Sequence, residues 1–161
     1  MIDKIYLDLD GCVCNFESRY KELYGETPKD SRDKKDFSTN WKHFCETGQF
    51  EKLDWWKDGQ KLIKYLDSLN IPIEILSSSG GLKYHLIVDL QKKKWLKAQG
   101  ITYPVNIVPG RAIKAKYADA HKILIDDTPD VIESFNLAGG KGILHTSFEE
   151  TKKEIEGYIN T

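Results

Sequence analysis

The sequence predicts an α/β fold in which helices cover both faces of a parallel sheet. Short apolar runs typical of buried strands alternate with amphipathic helical patterns. Polar residues follow directly where three of these runs end. One segment, residues 15–56, interrupts the alternation and is too long for an ordinary connection between a strand and a helix. Since alternating strands and helices form parallel sheets, we expect a three-layer domain with one insertion.

Five apolar runs are predicted to form the strands, because they are short, rich in aliphatic residues and bounded by turn formers. They are residues 5–9, 71–76, 105–108, 123–125 and 143–145. Apolar residues recur at helical spacing between them, near 16–24, 62–69, 84–99, 129–138 and 148–159. Thr128 before Pro129, and Ser147 three residues before Glu150, are helix-start signals.

The interrupting segment 15–56 is predicted to be a small helical cap standing over the sheet. Its residues 26–40 are polar and are expected to form a loop, and a dense aromatic patch follows them. Residues 1–14 and 57–161 would then form the core domain. The lysine run 92–94, in the third predicted helix, is expected to be a solvated helix face.

Composition limits the function classes. The chain has 161 residues, of which 40% are hydrophobic and 30% charged, and this balance favours one globular domain. A net charge of −1 argues against nucleic acid as the main partner.

No apolar run reaches the ~18 residues of a transmembrane helix, so no membrane partner is expected. Because a strand follows Met1 closely, we expect no signal peptide and a cytoplasmic protein. No feature favours a particular oligomeric state.

The three cysteines are expected to be free thiols. Their odd number in such a chain argues against a disulfide framework. Cys12 and Cys14 form a Cys-x-Cys pair, and Cys45 supplies no second pair, so a zinc set with conventional cysteine spacing is absent from the sequence. Structural roles are therefore expected for all three.

Polar side chains follow three of the predicted strands, where parallel sheets bind their ligands. They are Asp8 and Asp10, Ser77 and Ser78, and Asp126 and Asp127. Four carboxylates in one crevice need a cation, and an all-oxygen set suits Mg²⁺. Hydroxyl and backbone N–H groups after the second strand could bind phosphate oxygens. A lysine would balance the charge, and Lys114 and Lys116 both precede the fourth strand.

These stretches resemble the four motifs of the haloacid dehalogenase (HAD) superfamily of phosphatases. The matching residues are Asp8-Leu9-Asp10-Gly11, Ser77, Lys116 and Asp126-Asp127, which together span nearly the whole chain. More closely, "DLDGCVCNFE", "KYHLIVDLQKKKWL" and "KYADAHKILIDDTPD" resemble the 5′(3′)-deoxyribonucleotidases. The resemblance implies a Rossmann-like HAD fold with a small helical cap inserted after the first strand.

The resemblance also implies catalytic and metal-binding roles. Asp8 would be the nucleophile that forms an aspartyl phosphate, and Asp10 the general acid and base. Mg²⁺ would be held by Asp8, the backbone carbonyl of Asp10 and Asp126, with Asp127 as a further ligand or support. The residue types suit this chemistry, because a carboxylate attacks phosphorus when a metal neutralises the incoming charge.

Ser77, Ser78 and Lys116 are the expected phosphate-binding residues. Lys116 matches the spacing of the superfamily before the aspartate pair better than Lys114 does. In the nucleotidase family, the position of Phe16 faces the nucleotide base, and Trp41 and Phe50 are weaker candidates for the same contact. All three are aromatic residues that could equally form the core of a small cap.

The predicted function is therefore Mg²⁺-dependent hydrolysis of a small phosphomonoester, with pyrimidine deoxynucleoside monophosphates as the leading substrates. Two other enzymatic activities stay open: removal of 3′-phosphates from nucleic acid, and hydrolysis of another small phosphomonoester. The basic groove expected of the first is not evident in this sequence. A non-catalytic binding module with a degenerate phosphatase fold is the alternative outside enzymes, and it is disfavoured because every expected chemical group is present.

Overall fold

All neighbouring strands in the sheet run parallel, in the order β3-β2-β1-β4-β5. The computed structural model describes residues 1–160. The strands are β1 (Lys4–Leu7), β2 (Ile73–Ser78), β3 (Val105–Val108), β4 (Lys122–Asp126) and β5 (Lys141–Leu144). Helices lie on both faces of the sheet, so the predicted three-layer α/β class is confirmed. The second strand runs two residues further than predicted, which makes Ser77 and Ser78 part of it.

Seven α-helices and two 3₁₀ helices surround the sheet within residues 1–160. The α-helices are α1 (Phe16–Tyr24), α2 (Pro28–Ser31), α3 (Phe37–Glu46), α4 (Gly59–Asp67), α5 (His85–Ala98), α6 (Pro129–Leu137) and α7 (Phe148–Ile159). The 3₁₀ helices are Gln49–Lys52 and Arg111–Tyr117. None of the helices in this part of the chain has the length and apolar character needed to cross a bilayer.

The two faces of the sheet follow from the two-residue period of its strands. Ile5 and Leu7 of β1 point into a large hydrophobic cluster that includes residues of α4, α5 and α7. Tyr6, between them, joins a smaller cluster on the opposite face with residues of α6 and the 3₁₀ helix Arg111–Tyr117. Each strand therefore contributes side chains to two separate apolar layers.

The segment 15–56, called the cap segment below, contains α1 to α3 and the first 3₁₀ helix. Its range 26–40, expected to be a loop, instead contains α2 and the beginning of α3. The signal for α2 is Thr27 followed by Pro28, since the Thr27 side chain accepts a hydrogen bond from the Asp30 N–H. Phe44 of the cap segment belongs to the same hydrophobic cluster as the strand residue Ile5.

Helix α5 holds the cap segment through side chains that bind its backbone. Nε2 of Gln91 donates to the carbonyl of Cys45 at 2.6 Å, and Oε1 of Gln91 accepts from the N–H of Phe50 at 3.1 Å. One turn further on, Nε1 of Trp95 donates to the carbonyl of Leu53 at 2.8 Å. Because these bonds are buried, they fix the cap segment to the helix that follows β2.

The strand order creates a switch point between β1 and β4. From β1 the chain moves outward through β2 to β3, and then returns to β4 on the other side of β1. Ligands of open α/β sheets bind at this kind of reversal, outside the carboxyl ends of the strands. Asp8, directly after β1, and Asp126, the last residue of β4, lie there.

Candidate active site

A tight turn after β1 presents the first two aspartates. The N–H of Asp8 donates to the carbonyl of Ile125 in β4 at 2.9 Å, which continues the strand ladder by one residue. The carbonyl of Leu9 then accepts bonds from three successive N–H groups, of Cys12, Val13 and Cys14, at 3.1, 2.8 and 2.9 Å. The turn therefore holds Asp8 and the residues after it on a rigid, hydrogen-bonded backbone.

Lys114 is the buried lysine that joins the first and fourth strand ends. Its Nζ donates to Oδ1 of Asp8 at 2.9 Å and to Oδ2 of Asp126 at 2.7 Å. All three side chains are buried. This ion triad places one positive charge between two carboxylates that would otherwise repel each other.

The prediction that Lys116 completes the site is wrong, because its side chain is exposed while that of Lys114 is buried. Both lysines lie in the 3₁₀ helix Arg111–Tyr117. With three residues per turn, side chains two positions apart point in directions about 120° apart, so both cannot face the site. Family spacing identified the right helix and the wrong residue.

Lys92 is a second buried lysine, and it was expected to be solvated. Its Nζ donates to Oδ2 of Asp10 at 2.8 Å, to Oγ of Ser77 at 2.8 Å and to the carbonyl of Ser78 at 2.9 Å. It also lies 5.0 Å from the ring centroid of Phe50. Lys92 thus ties the first strand end to the second, and only Lys93 and Lys94 of the lysine run are exposed.

A signal for Lys92 is present in the sequence. The buried residues of α5 recur at helical spacing and form one continuous face; they are Val88, Gln91, Lys92, Trp95 and Leu96. A lysine at a core position of an amphipathic helix needs a buried counter-charge. Reading the run 92–94 by position on the helix, rather than as a block of charge, would have separated Lys92 from its neighbours.

The three serines at the carboxyl end of β2, Ser77 to Ser79, differ in what they do. Ser77 is fully buried, and its Oγ accepts from Lys92, which leaves its hydroxyl proton free to donate. Oγ of Ser78 accepts from the N–H of Gly80 at 3.1 Å and so stabilises the turn. Ser79, not predicted at the site, bonds to Nδ1 of His85 at 2.7 Å and fixes the start of α5.

Asp126 and Asp127 take different positions at the end of β4. The oxygens of Asp126 are occupied by Lys114 and by the N–H of Thr128, at 2.7 and 3.0 Å. Asp127 is exposed and bonds only weakly to the hydroxyl of Thr128, at 3.3 Å. One oxygen of Asp127 lies so close to Gly11 that a Cβ built there would be 1.9 Å away. Asp127 is therefore folded over the turn that follows Asp8.

Desolvation and mutual repulsion raise the pKa values of Asp8, Asp10 and Asp127. Burial raises the pKa of Asp8 to about 6, supported by the charge of Asp126 and opposed by Lys114. Partial desolvation of the carboxyl group where it folds over the turn, followed by the charges of Asp8 and Asp126, raises the pKa of Asp127 to about 8. The pKa of Asp10 is raised by burial against the opposing charge of Lys92. Two lysines thus leave part of the negative charge unbalanced.

This donor set fits a divalent cation. Ligand atoms of Asp8, Cys12 and Asp127 all lie within 4.8 Å of one another. Carboxyl groups held at raised pKa values would become ionised beside a cation. Oδ1 of Asp10 is buried and, among residues 1–160, accepts no hydrogen bond. The neighbourhood therefore offers oxygen atoms that protein groups do not satisfy.

The candidate base-contacting aromatics mostly pack against each other. The Phe16 ring is half-buried; it stacks on Phe50 at 5.4 Å and meets Phe44 edge-on at 5.1 Å. Phe50 is 2% exposed, so the expectation of a base contact for Phe50 is corrected to a core position. Trp41 differs, because it lines a cleft between α3 and the loop after β2.

That cleft has a volume of about 230 Å³ and begins two residues beyond Ser78. Its walls combine aromatic rings, glycines and one lysine: Phe37, Ser38, Trp41, Gly80, Gly81, Lys83 and Tyr84. The rings of Phe37 and Trp41 are nearly parallel, with centroids 6.4 Å apart. The cleft therefore lies between the cap segment and the loop that follows β2.

The fold is similar to that of several solved structures. A hydrolase from Streptococcus pneumoniae TIGR4 superposes with a TM-score of 0.59 at 16% identity, over 96% of this chain and 98% of that chain. The HAD domain of effector protein Lem4 from Legionella pneumophila gives a TM-score of 0.51 at 14% identity, over 99% and 95%. An uncharacterized protein from Corynebacterium glutamicum ATCC 13032 gives 0.51 at 14% identity, over 99% and 96%.

These likenesses define the fold as that of an HAD domain. Comparison with protein-family models and with curated proteins gives no match to this sequence.

Proposed function

We propose that this protein is a Mg²⁺-dependent phosphomonoester hydrolase that works through an aspartyl phosphate on Asp8. One observation carries the proposal: two carboxylates two residues apart are each bound by a different buried lysine, Asp8 by Lys114 and Asp10 by Lys92. Neighbouring carboxylates in different environments can take different catalytic roles. Hydrolase chemistry is also in keeping with the described function of the Streptococcus pneumoniae protein that shares the fold.

In the first half-reaction, an oxygen of Asp8 forms a bond to phosphorus and the bond from phosphorus to the alcohol oxygen breaks. Lys114 holds Oδ1 of Asp8, and among residues 1–160 no donor binds Oδ2, which is therefore the free nucleophilic oxygen. Asp10 in its acid form gives its proton to the departing alcohol. Its raised pKa favours that form.

In the second half-reaction, Asp10 takes a proton from water, whose oxygen bonds to phosphorus as the bond to Asp8 breaks. Inorganic phosphate leaves and both aspartates return to their starting states. Lys92 lies between Asp10 and Ser77, so it orients the general acid, and its positive charge favours a phosphoryl group beside it. The Ser77 hydroxyl supplies a further donor.

Mg²⁺ would be held by Asp8 and Asp127, with the backbone carbonyl of Asp10 as the expected third ligand. When bound, it would neutralise charge on the phosphoryl oxygens. Asp126, whose oxygens already accept bonds from Lys114 and Thr128, is better suited to support these ligands than to bind the ion directly.

The substrate is proposed to be a deoxynucleoside monophosphate, with a pyrimidine base preferred. The cleft beside Ser78 supports this, because base stacking on aromatic rings such as Trp41 is worth ~1–3 kcal/mol. Lys83 would add a positive charge at its rim. A cleft of about 230 Å³ favours the smaller pyrimidine base over a purine.

A phosphate-release screen tests the proposal. Nucleoside mono- and diphosphates, sugar phosphates and 3′-phosphorylated DNA are incubated with wild type, Asp8→Asn and, as an exposed control, Asp33→Asn. We expect Mg²⁺-dependent release from deoxynucleoside monophosphates, a loss of ~10³-fold or more in Asp8→Asn and no change in Asp33→Asn. Intact-mass spectrometry of acid-quenched wild type should show one added phosphoryl group. Full activity of Asp8→Asn would remove the nucleophile from this account.

A further inference from the structure

Cys12 is a buried thiol at the edge of the carboxylate cluster. It follows Gly11 in the turn after β1 and is fully buried. Among residues 1–160, its Sγ takes part in no hydrogen bond. Sγ of Cys12 and one carboxylate oxygen each of Asp8 and Asp127 lie within 4.8 Å of one another. A sulfur ligand therefore faces two oxygen ligands with no competing partner.

The conformation of Gly11 allows these three groups to lie close together. Gly11 has φ +83°, and a Cβ there would be 1.9 Å from Oδ2 of Asp127. Glycine thus permits the carboxylate of Asp127 to fold down towards Cys12 and Asp8. Since Asp127 is exposed while Asp8 and Cys12 are buried, an ion can enter from solvent on the Asp127 side.

We propose that this site also binds a thiophilic divalent cation, Zn²⁺ or its analogue Cd²⁺, through Asp8, Asp127 and the Cys12 thiolate. The inference deepens the proposed function, because the cation would occupy the same site as Mg²⁺. Three protein ligands with a fourth open position are typical of zinc in catalytic sites. Thiolate ligands select Zn²⁺ over Mg²⁺, which prefers oxygen.

Binding of the cation changes the protonation state of Cys12. The Cys12 thiol releases its proton to solvent, and the sulfur lone pair forms the bond to the cation. No oxidant or reductant takes part. Mg²⁺ would use the two carboxylates and leave the thiol protonated. The two cations therefore compete for Asp8 and Asp127 but differ in whether they engage Cys12.

Cd²⁺ titration of EDTA-treated and desalted protein tests the inference, with the ultraviolet charge-transfer absorption of a Cd²⁺–thiolate bond as the readout. The variants are Cys12→Val and Cys12→Ser, with Cys14→Val as a control, since Cys14 is a buried cysteine outside the cluster. We expect a saturable band in wild type and Cys14→Val, and none in either Cys12 variant. Calorimetry should give Cd²⁺ binding at least ~10-fold weaker in Cys12→Ser.

Circular dichroism checks that each variant is folded. If Cys12→Val does not fold, Cys12→Ser alone provides the comparison with wild type. A band that persists in Cys12→Ser, or no band in wild type, would overturn the inference. The two proposals fail separately. A Cys12-dependent band in a protein that hydrolyses no phosphomonoester would leave the inference standing alone. Mg²⁺-dependent hydrolysis without the band would leave only the proposed function.

Discussion

Nζ of Lys92 lies 2.8 Å from Oδ2 of Asp10, although the two residues are 82 positions apart in the chain. The same ammonium group binds Oγ of Ser77. Gln91, beside it on α5, binds the backbone of the cap segment at Cys45. The position of the proposed general acid is therefore coupled to the docking of the cap segment through one turn of one helix.

Lys92→Met should lower both stability and turnover. The substitution leaves the Asp10 carboxylate without its buried donor, at a cost of about 1–3 kcal/mol. Thermal unfolding and kcat/KM are measured beside Lys93→Met, whose lysine is exposed and paired with Asp89 at 3.0 Å. Lys93→Met should match wild type in both. Equal behaviour of the two variants would mean that Lys92 has no special part in the site.

Lys114→Met should abolish most activity, while Lys116→Met should not. Lys114 contacts Asp8 and Asp126 directly, and removal of one preorganised donor costs ~10²–10³ in kcat. Lys116 is exposed in the same 3₁₀ helix, so it controls for helix propensity and charge. Steady-state phosphate release measures both. A larger loss of activity in Lys116→Met than in Lys114→Met would show that Lys116, the lysine predicted from family spacing, acts in the site.

Without metal, the protein should lose stability as pH rises. The carboxyl of Asp127 has a pKa of about 8 in the folded protein and ~3.9 in an unfolded chain. The folded state therefore holds more protons between these values, so the free energy of unfolding falls as pH rises through about 8. Asp8, with a folded pKa of about 6, acts in the same direction.

Thermal unfolding in EDTA and in Mg²⁺ across this pH range tests the titration. A cation favours the ionised carboxylates, so the stabilisation by Mg²⁺ should grow with pH. At a Mg²⁺ concentration of ~100 times the dissociation constant, the stabilisation of the folded state would reach about 2.7 kcal/mol. Asp127→Asn should flatten the slope measured in EDTA. A midpoint that does not respond to pH or Mg²⁺ would contradict the charge balance described here.

Gly11→Ala should destabilise the protein more than Gly25→Ala does. Both glycines have nearly the same left-handed φ, +83° and +84°. An alanine in that region costs roughly 1–2 kcal/mol at either position. Only at Gly11 would the new Cβ meet a neighbour, the carboxylate of Asp127, whereas Gly25 has open space. The difference in unfolding free energy between the two variants isolates that contact, and equal losses would show that Asp127 moves away freely.

Trp41→Ala should reduce nucleotide hydrolysis selectively. Loss of a stacking contact worth ~1–3 kcal/mol predicts a ~5- to 150-fold fall in kcat/KM for dUMP or dTMP. Hydrolysis of a generic aryl phosphate should change little. Phe16→Ala is run in parallel, because the family resemblance predicts the same selective loss for Phe16. If either variant loses both activities equally, its aromatic residue is part of the packing of the cap segment.

The strands and the carboxylates were predictable because both have short-range signals. An apolar run followed by Asp-x-Asp, or by Asp-Asp before Thr-Pro, predicts a strand with carboxylates at its end from about ten residues of sequence. Asp8 and Asp126 therefore lie where the pattern predicts them, at adjacent strand ends.

The lysines were not predictable in the same way. Whether Lys114 or Lys116 turns inward depends on the local helix type, since an α-helix and a 3₁₀ helix rotate successive side chains by different angles. Lys92 is buried because it binds Asp10 after β1 and Ser77 in β2. These are tertiary contacts between residues far apart in the chain. Helical spacing along α5 marks Lys92 as a core position, but it does not identify Asp10 and Ser77 as the partners of that lysine.

The central position of β1 has a consequence for synthesis on the ribosome. Ile5 pairs with Ile73 on one side and with Ile123 on the other. Of the five strands the middle one therefore emerges first, and its second partner, β4, emerges only after β2 and β3. Until then Ile5 and Leu7 lack one of their two neighbouring strands, and Asp8 lacks both Lys114 and Asp126. A nascent chain that stalls before β4 would present an apolar strand edge to the chaperones around the tunnel exit.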